Sequence, residues 1–331
     1  MKESVHVWFL DVVHEALWNA LDAAGMKCHD GTGVSREALV EGDIGPVHGL
    51  VLRSRIRLDA EVLHAIPDLQ WIARSGSGLE NIDLATTAKL GIAVHSSPEG
   101  NRDAVGEHCV GMLLSTLHKL TSADASIRQH QWLREAHRGR ELKSMTVGIV
   151  GYGHMGSAFA ERLSGFGCRV LAYDKYKDGW GETPSIPRPM KHVQPVGWSA
   201  FCRDVDVVSL HLPLTEETKK MVGEDWLGQF DHPILLMNTS RGSILQTSAL
   251  LSALDQGQVT EACLDVLEFE GHSLEDLENL EDEFLRTTLE RLLAHPRVLL
   301  SPHVAGWTVE SYQKLSTVLA DKILAHSSSV P

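Results

Sequence analysis

Apolar positions along the chain alternate between two spacings. Compact apolar blocks at 5–10, 49–52, 69–73 and 92–95 predict strands buried on both faces. Between them, apolar residues recur at helical spacing over 13–24, 59–66 and 81–90, and Gly25 and Gly91 stand where helices stop. Strand and helix in alternation, with short connections, predict a parallel, doubly wound sheet. The pattern starts again further on. Strands are predicted at 146–150, 169–173, 206–210, 234–238, 260–266 and 297–300, with helices between, notably 247–254 closed by Gly257.

The connecting stretches are less regular. Ser97-Pro98-Glu99-Gly100 interrupts the first alternation, and a helix is predicted over 101–120 through Val105, Cys109, Met112, Leu113 and Leu117. Residues 121–143 are polar and carry Trp132 and Leu133. Two readings are open there: an arm that packs on a partner subunit, or a surface loop anchored by its Trp. The proline-rich stretch 184–195 reads as surface loop, and the acidic stretch 273–293 as one or two surface helices. A last helix over 309–325 has no place in a second sheet already complete, so it is expected to return to the first domain.

One junction carries chemistry. The strand at 146–150 runs into Gly151-Tyr-Gly153-His154-Met155-Gly156, and a helical stretch follows. Gly151 suits the tight turn, Gly153 leaves the backbone open to a pyrophosphate, and Gly156 lets helix and strand pack closely. The helix start offers N–H groups and a positive dipole end. The next strand ends at Asp174, placed to accept from adenosine ribose hydroxyls and to repel a 2′-phosphate. NAD is therefore expected over NADP, with Lys175 and Lys177 able to soften the preference.

Composition narrows the class. Hydrophobic residues make up 43% and charged residues 22%, ordinary for a globular protein, and 331 residues suffice for two cores. A net charge of −14 argues against nucleic acid or an anionic membrane as partner, and no stretch reaches membrane-spanning length. Cys28, Cys109, Cys168, Cys202 and Cys263 are scattered, with no CxxC. Neither a disulfide framework nor a metal site is expected, and a cytoplasmic location fits.

The chain resembles the D-isomer-specific 2-hydroxyacid dehydrogenases over about 50–312. The resemblance rests on Arg-Ser-Gly-Ser-Gly-Leu-Glu-Asn-Ile-Asp (74–83), Asn-Arg-Asp-Ala-Val-Gly-Glu-His (101–108), the glycine turn, and Asp-Val-Val-Ser-Leu-His-Leu-Pro-Leu (206–214). Met-Asn-Thr-Ser-Arg-Gly (237–242), Asp-Val-Leu-Glu-Phe-Glu (265–270) and Ser-Pro-His-Val-Ala-Gly-Trp-Thr (301–308) complete it. Within the family it looks most like the catalytic part of D-3-phosphoglycerate dehydrogenases. The resemblance implies an α/β fold of two doubly wound parallel-sheet domains. One is a Rossmann NAD-binding domain over 99–305; the other is a flavodoxin-like substrate domain over 1–98 with 306–331. It further implies a homodimer acting on a small 2-hydroxy or 2-oxo acid.

The same resemblance implies roles for residues. Arg241 would hold the substrate carboxylate and polarise the C2 oxygen, and His303 would be the acid/base. Glu270 would orient His303; Glu268 competes, but the family's acid falls five residues past the Asp of its Asp-Val, which here is Asp265. This chain has Gly271 where the family usually has proline. His154 and Met155 would lie near the pyrophosphate, Thr239 and Ser240 beside the nicotinamide, with Asp265 at its carboxamide and Gly306 close by. Ser77 and Gly78 match the turn that holds the substrate carboxylate. Arg53 and Arg55 match arginines that face a substrate phosphate, and as alternate residues of an extended segment they could share a face. An ordinary basic loop is the alternative, with glyoxylate/hydroxypyruvate or D-lactate-type reduction as rival activities. A further alternative is a corepressor that senses NAD.

Overall fold

A computed structural model describes residues 4–177, 189–271 and 281–329. The described residues form two compact units. Unit 1 holds those up to Arg102 and from Trp307 onward; unit 2 holds those from Asp103 to Gly306. The chain begins with β1 (His6–Phe9), α1 (Glu15–Ala23), β2 (Lys27–Asp30), α2 (Arg36–Glu41) and β3 (Gly49–Leu52). Then come α3 (Ala60–Ala65), β4 (Trp71–Arg74), α4 (Leu84–Leu90) and β5 (Ala93–Ser96). Helix α5 (Pro98–Leu117) starts in unit 1 and ends in unit 2, and α6 (Leu120–Arg128) follows. Unit 2 continues with β6 (Thr146–Val150), α7 (His154–Leu163), β7 (Arg169–Tyr173), β8 (Val193–Pro195), α8 (Trp198–Asp204) and β9 (Val207–Leu210). It ends with α9 (Glu224–Leu227), β10 (Ile234–Asn238), α10 (Thr247–Gln256), β11 (Val259–Leu264), α11 (Glu283–Leu293) and β12 (Val298–Leu300). The last helix, α12 (Val309–Ser329), belongs to unit 1.

Both sheets are parallel throughout. Unit 1 runs β2-β1-β3-β4-β5, the flavodoxin-like order. Unit 2 runs β12-β11-β10-β9-β6-β7-β8, the Rossmann order with one added strand. Successive residues point to opposite faces, and both faces are covered. In β3, Leu50 and Leu52 join one core cluster while Val51 joins another. In β6, Val147 and Ile149 pack on one side and Val150 on the other. Each side chain of this kind contributes about 1.5–3 kcal/mol on full burial. Leu319, Ala320 and Ile323 of α12 complete the cluster around Val7, Phe9 and Trp71.

Several expectations need correction. Two edge strands, β2 and β8, were not foreseen, and β8 lies inside the stretch read as loop. Helix α5 starts at Pro98, not at 101, because proline fits the first helical turn, where its missing N–H costs nothing. It stops at Leu117, and Lys119 at φ 54° breaks the path before α6. Of the acidic stretch 273–293, α11 is a helix begun by Asp282, whose side chain accepts from the Leu285 N–H. Residues 272–280 lie outside the described residues, as do 178–188.

Candidate active site

In unit 2 the strand order reverses between β6 and β9, which leaves a crevice at the C-terminal strand ends. The glycine turn leaves β6 at that point. Gly151 has φ +89°, and a Cβ on Gly156 would lie 2.1 Å from the Gly151 carbonyl oxygen. Gly153 faces open space, and it caps α7 with no side-chain hydrogen bond, so the first-turn N–H groups point at room for a ligand. His154 and Met155 open that helix. Asp174 closes β7; its Oδ2 accepts from the Tyr152 N–H at 2.9 Å and its Oδ1 from the Tyr176 N–H at 3.1 Å. A carboxylate has further lone pairs, so ribose hydroxyls can still be accepted. These residues fit a dinucleotide. The two nearby lysines are both paired: Lys177 lies 3.7 Å from Asp174, and Lys175 pairs with Glu217, as does the Tyr176 hydroxyl.

Adjacent strands β10, β11 and β12 bring the acid–base candidates together. Asn238, the last residue of β10, folds the next turn: its Oδ1 accepts from Ser240 N–H and Oγ, and its Nδ2 donates to the Arg241 carbonyl at 2.9 Å. Gly242 then passes the loop after β11 so closely that a Cβ would sit 1.8 Å from the Leu267 oxygen. This close pass ties the Arg241 turn to the segment that leads into Glu270. Arg241 itself donates from Nη1 to the Ser240 carbonyl at 2.6 Å. Thr239 is buried, with its hydroxyl 3.2 Å from Cys109 Sγ.

The two candidate acids separate clearly. Glu270 Oε2 lies 2.8 Å from His303 Nδ1, and Oε1 accepts from the Leu267 N–H at 2.5 Å. Glu268 instead accepts from the Thr247 N–H at the start of α10 and lies 3.4 Å from Lys220. The Glu270 contact fixes the neutral His303 tautomer with hydrogen on Nδ1, which leaves Nε2 as the proton acceptor. His303 has φ 53°, a left-handed backbone uncommon for a residue with a Cβ. Asp265 holds this segment. Its carbonyl accepts from His303 N–H at 2.7 Å, and its carboxylate accepts from Ser301 Oγ, Val304 N–H and Ala305 N–H at 2.6, 3.0 and 2.8 Å. Burial alone would raise the Asp265 pKa, but the bonds from His108, Ser301, Ala305 and Val304 outweigh it and hold it below the usual carboxylate value. In the sequence, only the Ser-Pro-His motif at 301–303 hints at this anchoring. Gly306 ends the segment.

In unit 1 the order reverses between β1 and β3, and Arg53 leaves β3 there, its N–H donating to Asp11 Oδ2 at 2.6 Å. The Arg53 guanidinium stacks 4.4 Å over the Trp307 ring. The Arg55 guanidinium has other partners, so the two arginines are not held as the expected pair. The Arg55 fork donates to the carbonyls of Leu10, Val34 and Gly31 and lies 3.4 Å from Asp11, so it ties loops together. In the turn after β4, Ser77 Oγ donates to Asn101 Oδ1 at 2.8 Å, and Gly76 N–H donates to Ser97 Oγ. The N–H groups of Ser77 and Gly78 have no acceptor among the described residues. No group of His, Cys, Asp or Glu suited to a metal ion occurs among the described residues.

Fold and site together define a dinucleotide-binding α/β protein with a histidine–carboxylate pair on its nucleotide-binding unit. The sequence model of the D-isomer specific 2-hydroxyacid dehydrogenase NAD binding domain matches residues 110–305. A glyoxylate reductase from Thermofilum pendens is 33% identical over 299 residues, covering 88% of this chain and 81% of its own. A D-3-phosphoglycerate dehydrogenase from Archaeoglobus fulgidus is 29% identical over 310 residues, 93% of this chain. The chain spans about half, 54%, of that relative's length. Among solved structures, a glyoxylate reductase from Paecilomyes thermophila superposes with TM-score 0.83 at 23% identity, covering 99% of this chain and 97% of its own. The chain belongs to the D-isomer-specific 2-hydroxyacid dehydrogenases and carries their NAD binding domain.

Proposed function

We propose that the chain interconverts a small D-2-hydroxy acid and its 2-oxo acid with NAD. The observation that carries this reading is the 2.8 Å contact between His303 Nδ1 and Glu270 Oε2, at the same sheet edge as the glycine turn. The bound nicotinamide supplies the hydride chemistry. His303 Nε2 takes the proton from the C2 hydroxyl in oxidation and returns it in reduction, while Glu270 holds the ring and offsets the positive charge that forms. Arg241 offers a planar fork to a carboxylate and the C2 oxygen. Thr239, Ser240, Asp265 and Gly306 would border the nicotinamide half. In unit 1, the unpaired N–H groups of Ser77 and Gly78 suit a carboxylate.

For the substrate, Arg53 stands without Arg55, which favours an unphosphorylated acid of two or three carbons, of the glyoxylate or hydroxypyruvate kind. A 3-phosphate is the second reading, carried by Arg53 at the switch point of unit 1. Arg53→Ala should then raise KM for the phosphorylated compound and leave its analogue unchanged. The test of the whole is a panel of 2-oxo acids with NADH and NADPH, followed by nicotinamide absorbance. Turnover of glyoxylate or hydroxypyruvate supports the reading. NAD binding without turnover of any acid overturns it and leaves an NAD-sensing protein.

Leu120, Ile127, Trp132 and Leu133 are 56, 49, 78 and 47% exposed, which supports self-association into a homodimer through α6 and the segment after it. Light scattering on Trp132→Asp should report a smaller particle than the unmodified protein; equal masses would reject this surface. Five free thiols suit a reducing compartment such as the cytoplasm. No helix among the described residues is long and apolar enough to cross a membrane.

A further inference from the structure

His108, on α5, has no part in the chemistry above, yet it touches the hub that does. Its Nε2 lies 2.9 Å from Ser301 Oγ and 3.5 Å from Asp265 Oδ1. Ser301 has one hydroxyl hydrogen, and it goes to Asp265 at 2.6 Å. The serine oxygen must therefore accept from His108, so Nε2 carries a hydrogen. The chain of bonds continues through the Asp265 carboxylate to the N–H groups of Val304 and Ala305, and through its carbonyl to the N–H of His303. A non-glycine residue in the left-handed region costs on the order of 1–3 kcal/mol and persists only where its surroundings over-determine it. The over-determination at His303 is this set of bonds. Asp265 is 1% exposed, so it has little recourse to water.

We propose that His108 is a positioning residue: through Ser301 and Asp265 it holds the 301–305 segment in the left-handed turn that presents His303 to Glu270. His108 also lines a cavity of about 240 Å³ with Gly111, Met112, Ser115 and Leu299. Truncating it would admit water beside Asp265 and weaken the charge-assisted bonds on which the turn depends. The proposal rests on the acid–base role given to His303, and its test has one arm that does not.

The experiment compares His108→Ala, His108→Gln, Ser301→Ala and the His108→Ala/Ser301→Ala pair. kcat and KM are measured with an acid the unmodified enzyme turns over, NADH affinity by fluorescence, and amide hydrogen exchange at 301–305. Displacement of a reacting group by a distant change can cost up to about a hundredfold. His108→Ala should lower kcat about ten- to a hundredfold, leave KM and NADH affinity within about twofold, and speed exchange at Val304 and Ala305. Gln, whose amide can still donate to Ser301, should restore most of the loss. The double variant should be no worse than the worse single one, since both cut the same path. Unchanged kcat in His108→Ala overturns the proposal, even if exchange rises. Losses that multiply in the double variant overturn it too. If His108→Ala does not fold, Ser301→Ala carries the same comparison. If no acid is turned over, the proposed function fails by itself, and unchanged exchange at 301–305 would still reject the positioning role.

Discussion

Glu268 and Glu270 stand two positions apart and do different work. Glu268 closes the start of α10 through the Thr247 N–H; Glu270 meets His303. Glu268→Gln should therefore cost stability, about 1 kcal/mol on the scale of other helix-start bonds, and leave turnover nearly intact. Glu270→Gln should cut kcat with little loss of stability. His303→Ala should cut it further, by about 10²–10⁴-fold, while NAD still binds. Urea melts beside steady-state rates separate these outcomes; a turnover loss confined to Glu268→Gln would reverse the assignment. The same scale decides the cofactor. Lys175 and Lys177 could have welcomed a 2′-phosphate, but Glu217 and Asp174 pair with them. The ratio of kcat/KM for NAD over NADP should favour NAD, and Asp174→Ala should narrow it by removing a carboxylate and the acid partner of Lys177. A preference for NADP in the unmodified protein would refute this. These residues were legible because each lies inside a short motif. The tie between His108 and Ser301 was not: the two are 193 residues apart, and only the fold brings them together.

At the level of elements, the strands that could be read are those buried on both faces. β3, β6, β9 and β10 are almost wholly apolar. β2, Lys-Cys-His-Asp, sits at the edge of its sheet, paired only with β1, and carries no apolar alternation. β8 is likewise an edge and ends in Pro195, a residue that edge strands tolerate. Arg55 shows the other limit: the period of an extended segment puts Arg53 and Arg55 on one side only while the segment stays extended, and the chain turns after Leu52. The crossing of the Arg241 turn beneath Leu267 was equally invisible, since it joins loops from two strands. It makes a sharp expectation for Gly242→Ala. The new methyl group would meet the Leu267 oxygen, so one of the loops must shift, at roughly 1–3 kcal/mol. Arg241 would move with it. KM for the 2-oxo acid should rise and kcat fall, with NADH affinity kept. Wild-type kinetics in this variant would mean that the turn relaxes without moving Arg241.

The whole molecule should lose stability in mild acid, and the sign follows from three partly buried imidazoles. His211 follows β9, with Nε2 2.9 Å from Ser209 Oγ and its ring 5.7 Å from the Phe159 ring. Burial pushes its pKa down from 6.5 to about 4. A folded pKa below the unfolded one means that the unfolded chain takes up a proton the folded chain refuses. The stabilisation is complete above pH 6.5 or so and is lost as pH falls toward 4. From the shift, the loss at pH 5 is about 2 kcal/mol, approaching about 3 kcal/mol below pH 4. His95, lowered by burial and then by His326 and Lys322, and His295, lowered mainly by burial, add in the same direction. Asp265 also has its pKa depressed, but its contribution is lost only below the ordinary carboxylate value of 3.8, so it leaves the higher window clear. Urea unfolding of the unmodified protein and of His211→Gln at pH 7 and pH 5 isolates the effect. The unmodified protein should weaken more between the two, because Gln takes up no proton in either state. Equal losses in both would remove His211 from the account and leave the acid sensitivity to His95 and His295.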